Sequence, residues 1–180
     1  MEQISNDQQG QTPPAREPLI GRLELWIALA IVGLDQATKA MLRARLGLYD
    51  DVSIIPGLLG LTHVRNTGAA FGLLNSINFP FKAGLIAFVA TAALVGIAGY
   101  AARLAPAQRL ARIGLAFIIG GAVGNLIDRV VLGYVVDFID VYWGAWHFWA
   151  FNVADSAITI GVCVMVLDML GVGSHVSKAA

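Results

Sequence analysis

The sequence predicts an all-α polytopic membrane protein: four spanning helices, with one small β-rich module outside the bilayer. Three observations predict it. The 180 residues are 57% hydrophobic and only 13% charged, with a mean hydropathy of +0.70, whereas an ordinary soluble domain is about one quarter charged. Four apolar runs each approach the roughly 20 residues that a helix needs to cross a bilayer. The polar side chains are not scattered through these runs but gather between Gly120 and Ser156. A charge inside a spanning segment costs at least about 2–3 kcal/mol, so that gathering calls for a chemical reason.

Composition also excludes. The formal net charge is zero, and no Lys/Arg run invites a nucleic acid or an acidic partner. Cys163 is the single cysteine and lies in an apolar run, so no intrachain disulfide framework is expected. His63, His147 and His175 are scattered and no HExxH occurs. No metal and no cofactor are expected.

Taken in order, residues 1–21 are polar and rich in Gln and Pro. They cannot bury enough apolar surface to order themselves and are expected as a disordered cytoplasmic tail. The first span, about 23–42, is longer than a signal-peptide core and holds Asp35 and Lys39 on one helical face. It reads as a retained signal anchor. Residues 43–81 are punctuated by Gly, Pro and Asn, and LTHVRN alternates apolar with polar as a short strand does. This is the β-rich extramembrane module. The second span, about 83–101, is nearly free of polar side chains, and Arg103, Pro106, Arg109 and Arg112 mark a short basic connection to the third, about 110–132. Residues 133–150 form an amphipathic, aromatic segment whose Tyr142, Trp143, Trp146 and Trp149 suit a membrane interface. The fourth span, about 151–172, precedes a short tail at 173–180.

Counting basic residues does not orient the chain. Arg16, Arg22, Arg103, Arg109, Arg112 and Lys178 stand against Lys39, Arg43, Arg45, Arg65, Lys82 and Arg129, six on each side. The acid-free connection 102–112 decides, because short loops carry the positive-inside rule. Both termini are therefore expected in the cytoplasm. With four alternating spans, Asp35, Lys39, Asn125, Arg129, Asn152 and Asp155 all fall toward the outer face.

Two carboxylates in a low-dielectric site cannot both ionise cheaply, so the pair offers a base and an acid together. Asp155 is the strongest candidate, because it lies within a span and shares a helix face with Asn152. Its structural alternative is an N-terminal acid favoured by the helix dipole. Asp128, Asp137 and Asp140 all lie near the right depth, and spacing prefers none. Asp128 has the further option of pairing with Arg129, and Asp140 that of a solvated partner on a loop helix. Asp35 and Lys39, at i and i+4, suit an ion pair that locks the bundle. Gly120 and Gly124 form a GxxxG, a close helix contact. Ser53 and Ser156 lie in no nucleophile motif. The rival class is a small transporter or proton-conducting bundle, which needs ionisable groups through the full depth. The second span supplies essentially none, and Asp168 is the lone acid near the inner end.

Five motifs then stand in register: D-Q-x-[TS]-K at Asp35–Lys39, N-x-G-A-A-F at Asn66–Phe71, G-N-L-I-D-R at Gly124–Arg129, V-V-D-F at Val135–Phe138 and F-N-x-A-D at Phe151–Asp155. Over residues 22–172 the chain resembles the lipoprotein signal peptidase (signal peptidase II) family. The resemblance implies a four-helix membrane core with a small extracytoplasmic β-cradle and a periplasmic surface helix, the latter assigned to 133–150. It implies an aspartic endopeptidase of the bacterial inner membrane, with its active site near the periplasmic face. Its substrate would be a diacylglyceryl-modified prolipoprotein, cleaved N-terminal to the lipidated cysteine. The implied dyad is Asp137 and Asp155. Asn66, Gly68, Asn125, Arg129 and Asn152 fall on substrate-binding or supporting positions, and Asp35 and Lys39 on structural positions beside the site. The partners expected are the prolipoprotein and membrane lipids, with the enzyme acting as a monomer.

Overall fold

In a computed structural model, residues 21–68, 77 and 79–171 can be described. Residues 1–20 and 173–180 of the expected tails, residue 172 of the expected fourth span, and residues 69–76 and 78 of the β-rich module lie outside the described residues. The elements run α1 (Arg22–Arg45), β1 (Asp51–Ile55), β2 (Leu59–Asn66), α2 (Lys82–Ala101), α3 (Arg109–Leu132), β3 (Val135–Trp143), β4 (Trp146–His147) and α4 (Val153–Met169). The antiparallel strands lie in the order β1-β2-β3-β4.

Helix α3 is the hub, packed against α1, α2 and α4. Its small residues make this possible. A Cβ on Gly121 would run into the Ala154 carbonyl of α4, and Gly114 and Gly161 are pressed against each other's carbonyls. On its other side the Gly120–Gly124 pair meets α1, at the Ala28 carbonyl and the Asp35 carboxylate. The expected GxxxG contact is therefore present, and a second small-residue seam faces α4. Without a hydrophobic drive between helices in lipid, such close backbone approach is what holds them together. α2 has a single buried side chain, Lys82 at its first position. Its Leu85, Phe88, Val89 and Val95 are exposed, which is what a lipid-facing helix requires.

Helices α1, α2 and α3 are long and apolar enough to cross a membrane. α4 has 17 residues, about 26 Å at 1.5 Å per residue. It starts later than the expected span because Phe151 bridges to Ile139 of β3 and Asn152 is the helix cap.

Segment 133–150 differs from the expected surface helix, because it is strand. Val135–Trp143 is a nine-residue run of β-branched, aromatic and acidic residues. Such residues fit a pleated surface better than a helix. The left-handed Gly144 (φ 61°) turns β3 into β4. Asp140 thus sits on β3 and not on a loop helix. The small sheet is built from two chain regions: β1 and β2 from the expected module, β3 and β4 from the aromatic segment. Its floor is the cluster of Leu42, Val136 and Phe138, with Leu46, Leu132 and Val153 around it. There the sheet sits on the ends of α1, α3 and α4. His63 Nδ1 donates to the Leu46 carbonyl at 2.9 Å and ties β2 to the end of α1.

Candidate active site

Strand alternation sets the first functional side chain. Val136 and Phe138 go down into the floor cluster, so Asp137 between them points the other way, toward the start of α4. Asn66 ends β2 two residues beyond Val64, the register partner of Asp137. The Asn66 carboxamide oxygen accepts the Gly68 N–H at 3.0 Å, which turns its NH₂ onto Asp137 Oδ2 at 3.0 Å.

The second acid belongs to a helix terminus. Asn152 caps α4 in a capping box: its side chain accepts the Asp155 N–H at 2.9 Å, and Asp155 Oδ2 accepts the Asn152 N–H at 3.2 Å. The structural alternative for Asp155 is therefore real, and it coexists with a place in the site. With its oxygen engaged, Asn152 donates its Nδ2 to Asp137 Oδ1 at 2.7 Å and to the Val136 carbonyl at 3.3 Å. One fully buried asparagine thus touches both acids.

Asn125, on α3, completes the set. Its Nδ2 donates to Asp155 Oδ1 at 2.8 Å, while its oxygen accepts Lys39 Nζ at 2.9 Å and Asn152 Nδ2 at 3.1 Å. All three asparagines obey one rule. Each carboxamide oxygen is held by a group that can only donate, so each NH₂ faces a carboxylate. Arg129 donates to the Asn125 and Gly68 carbonyls, and its charge lies within electrostatic reach of Asp155, Asp137 and Asp128.

These donors work against a strong opposing effect. Burial first, and then the Asp155 carboxylate, push the Asp137 carboxyl up to about 7, while Asn66, Asn152 and the Lys39 charge pull it down. A carboxyl that keeps its proton near neutrality beside a second acid is equipped for general acid–base work.

Behind the acids lies a buried ion cluster. Lys39 Nζ contacts Asp35 Oδ2 at 2.8 Å and Asp128 Oδ2 at 3.1 Å, all three side chains at most 3% exposed. The Asp35–Lys39 pair expected along α1 is present. Asp128 does not pair with Arg129 as weighed above; it accepts Lys39, the Val136 N–H and Gln36. Asp35 also accepts the Ala154 N–H. Gln36 was not anticipated as a functional position. It bridges Asp35, Asp128 and the Gly124 carbonyl, and its only sequence signal was its place inside D-Q-x-[TS]-K. Asp140 is on the opposite face of β3 from Asp137 and pairs with the half-exposed His147 at 2.9 Å. Trp143, Trp146 and Trp149 are exposed, as an interfacial belt would be. Cys163 is exposed on α4.

Every described residue of the expected set (Asp137, Asp155, Asn66, Gly68, Asn125, Arg129, Asn152, Asp35 and Lys39) is joined in one hydrogen-bonded constellation at the sheet end of the bundle. Residues 27–171 match the family described as Signal peptidase (SPase) II. This chain belongs to the signal peptidase II family. It is 48% identical over 137 residues to the lipoprotein signal peptidase of Geobacter metallireducens, covering 76% of this chain and 83% of that one. It is 44% identical over 151 residues to the lipoprotein signal peptidase of Pseudomonas aeruginosa, covering 83% and 89%. A bacterial membrane enzyme solved by the in meso method at 2.3 Å is 31% identical, with a TM-score of 0.75 over 88% of this chain and 93% of that one. As a signal peptidase II, the chain is an aspartic peptidase, and the apolar faces of α1–α3 fit the membrane setting of its solved neighbour.

Proposed function

We propose that the chain removes the signal peptide from prolipoproteins by a water activated between Asp137 and Asp155, cutting N-terminal to a cysteine that already carries diacylglycerol. The observation that carries this reading is Asn152, whose one side chain touches both acids while the neighbouring asparagines present only N–H to them. The pair holds one proton. The ionised carboxylate takes a proton from water as its oxygen attacks the scissile carbonyl, and the protonated one gives its proton to the carbonyl oxygen. As the tetrahedral diol collapses, one of its hydroxyls gives its proton to the ionised carboxylate, the C–N bond breaks, the leaving amine takes the proton of the other acid, and the dyad again holds one proton. The two acids titrate as a unit. Asn66, Gly68, Asn125 and Arg129 border this space and supply hydrogen bonds to the substrate backbone and lipid head region.

All of these groups come from one chain, which supports a monomeric enzyme. α4 serves as the fourth span, with both termini in the cytoplasm and the site near the periplasmic face. The basic connection 102–112 supports that orientation. The lipid acts by position. Buried acyl CH₂ groups are worth about 0.8 kcal/mol each and hold the cysteine at the interface before the enzyme is met, so the gain is in near-attack geometry.

Purified protein incubated with a lipidated prolipoprotein tests the reading. Signal peptide should be released, and an unlipidated precursor in the same bilayer should turn over far more slowly at saturation. Equal turnover would mean that the lipid is not read. Reporter fusions should place Arg109 in the cytoplasm, and a periplasmic signal there would reverse the orientation.

A further inference from the structure

Lys39 is fully buried, and its three N–H bonds go to Asp35, Asp128 and the Asn125 carboxamide oxygen. An ion pair alone would need only the first two. The third contact has a directional consequence, because an ammonium can donate and never accept. It fixes which end of the Asn125 amide faces it. Of the three asparagines around the acids, Asn66 and Asn152 are oriented by backbone N–H groups, from Gly68 and Asp155. Asn125 alone among them is oriented by a side chain.

We infer that Lys39 is a positioning residue for the peptidase reaction: by holding the Asn125 carboxamide oxygen it turns the Asn125 NH₂ onto Asp155, and through that same oxygen it steadies the Asn152 amide that reaches Asp137. This rests on the Asp137–Asp155 reading above and extends it to a residue that touches neither acid. Without the ammonium, the Asn125 oxygen keeps only the longer 3.1 Å contact from Asn152, and the amide can flip. Its oxygen would then face Asp155 Oδ1 across the 2.8 Å now bridged by N–H, and Asn152 would lose its acceptor. Both carboxylates would hold protons more tightly, since a donor and a nearby cation that favour the ionised form are lost. Lys39 also acts as a structural lock between α1 and α3, so the test must separate the two roles.

The experiment is a double-mutant cycle read by pH profile. Lys39→Met is combined with Asp128→Asn, so that no unpaired acid is left buried at Asp128, and this pair is made in the parent and in Asn125→Ala. Asp128→Asn alone is the structural control, because it breaks one ion pair and leaves the Lys39–Asn125 bond. The control is expected to melt earlier with its pH–rate bell in place. The Lys39→Met/Asp128→Asn variant should lose about 10- to 100-fold in kcat per folded molecule, keep its KM, and move both limbs of the bell up by about one pH unit. Asn125→Ala should reproduce that loss of kcat and part of the shift, and adding the Lys39 change to it should cost kcat nothing further, leaving only the extra shift that the lost ammonium makes directly. Additive losses in the Asn125→Ala background, an unmoved bell in Asn125→Ala, or an equal shift from Asp128→Asn alone would each overturn the inference. Asp137→Asn and Asp155→Asn are run beside these variants. If either stays active, it is the dyad reading that fails.

Discussion

Asp137 and Asp140 stand three residues apart on the same strand and live in different chemistry. The pleat sends them to opposite faces. Asp137 is 3% exposed, receives two asparagine donors and is pushed up to about 7 by burial and by Asp155. Asp140 lies on the Val136–Phe138 face but farther along the strand, where among the described residues it pairs with His147, whose side chain is 55% exposed, beside Ser53 and Tyr142, which share a hydrogen bond. The difference teaches that an acid in this chain becomes a site residue through what the helices bring to it, and not through depth along the sequence.

The sharpest break of that comparison is substitution at each acid. Asp137→Asn or Asp155→Asn keeps shape and removes proton chemistry, and cleavage should fall by about 10²- to 10⁴-fold with the protein still folded. Asp140→Asn should stay within about twofold of the parent, since the exposed pair it breaks is worth at most about 1 kcal/mol. A dead Asp140→Asn with an active Asp137→Asn would exchange their roles.

The packing that brings α4 to β3 gives the next effect. Gly121→Val would drive a side chain into the Ala154 carbonyl, and overpacking of this kind costs about 1–3 kcal/mol. It should lower the melting temperature and depress turnover by moving Asp155 away from Asn125. The Asp140–His147 contact should be untouched, and an unchanged turnover would mean that the α3–α4 seam does not set the site.

Titration separates the two acids more gently. Because the folded-state value of Asp137 is raised, the folded protein binds that proton more tightly than the unfolded chain does. The stability it contributes is fully present below the unfolded value of 3.8 and lost as pH rises through about 7. Asp137→Asn should therefore melt higher than the parent at pH 8, with a smaller gap at pH 5. Cleavage by the parent should decline above about pH 7 as the shared proton leaves. A melting difference independent of pH would remove Asp137 from this role. The smallest effect is expected at Cys163→Ala, on the exposed face of α4, where turnover and thiol-reagent sensitivity should not change.

The apolar runs, the basic connection and the Asp35–Lys39 spacing were legible in the sequence because they depend on local periodicity. A 20-residue apolar helix announces itself, and so does an i,i+4 pair. By itself, then, the sequence determined the long apolar helices, their order, the Gly120–Gly124 contact of α3 and the gathering of polar groups at one end. From the residues alone it left Asp128, Asp137 and Asp140 equivalent, and only the family resemblance chose among them. Tertiary structure decided the rest. Whether 133–150 became helix or strand depended on β2, supplied some 75 residues earlier in the chain, because a strand is stable only against a partner. Asp128 turned inward to Lys39 and not to its neighbour Arg129, because α1 packs against α3 there. The direction of each asparagine amide was set by donors from other elements or from the backbone. No local pattern encodes those pairings, since each needs two segments brought together by packing before its hydrogen bond can form.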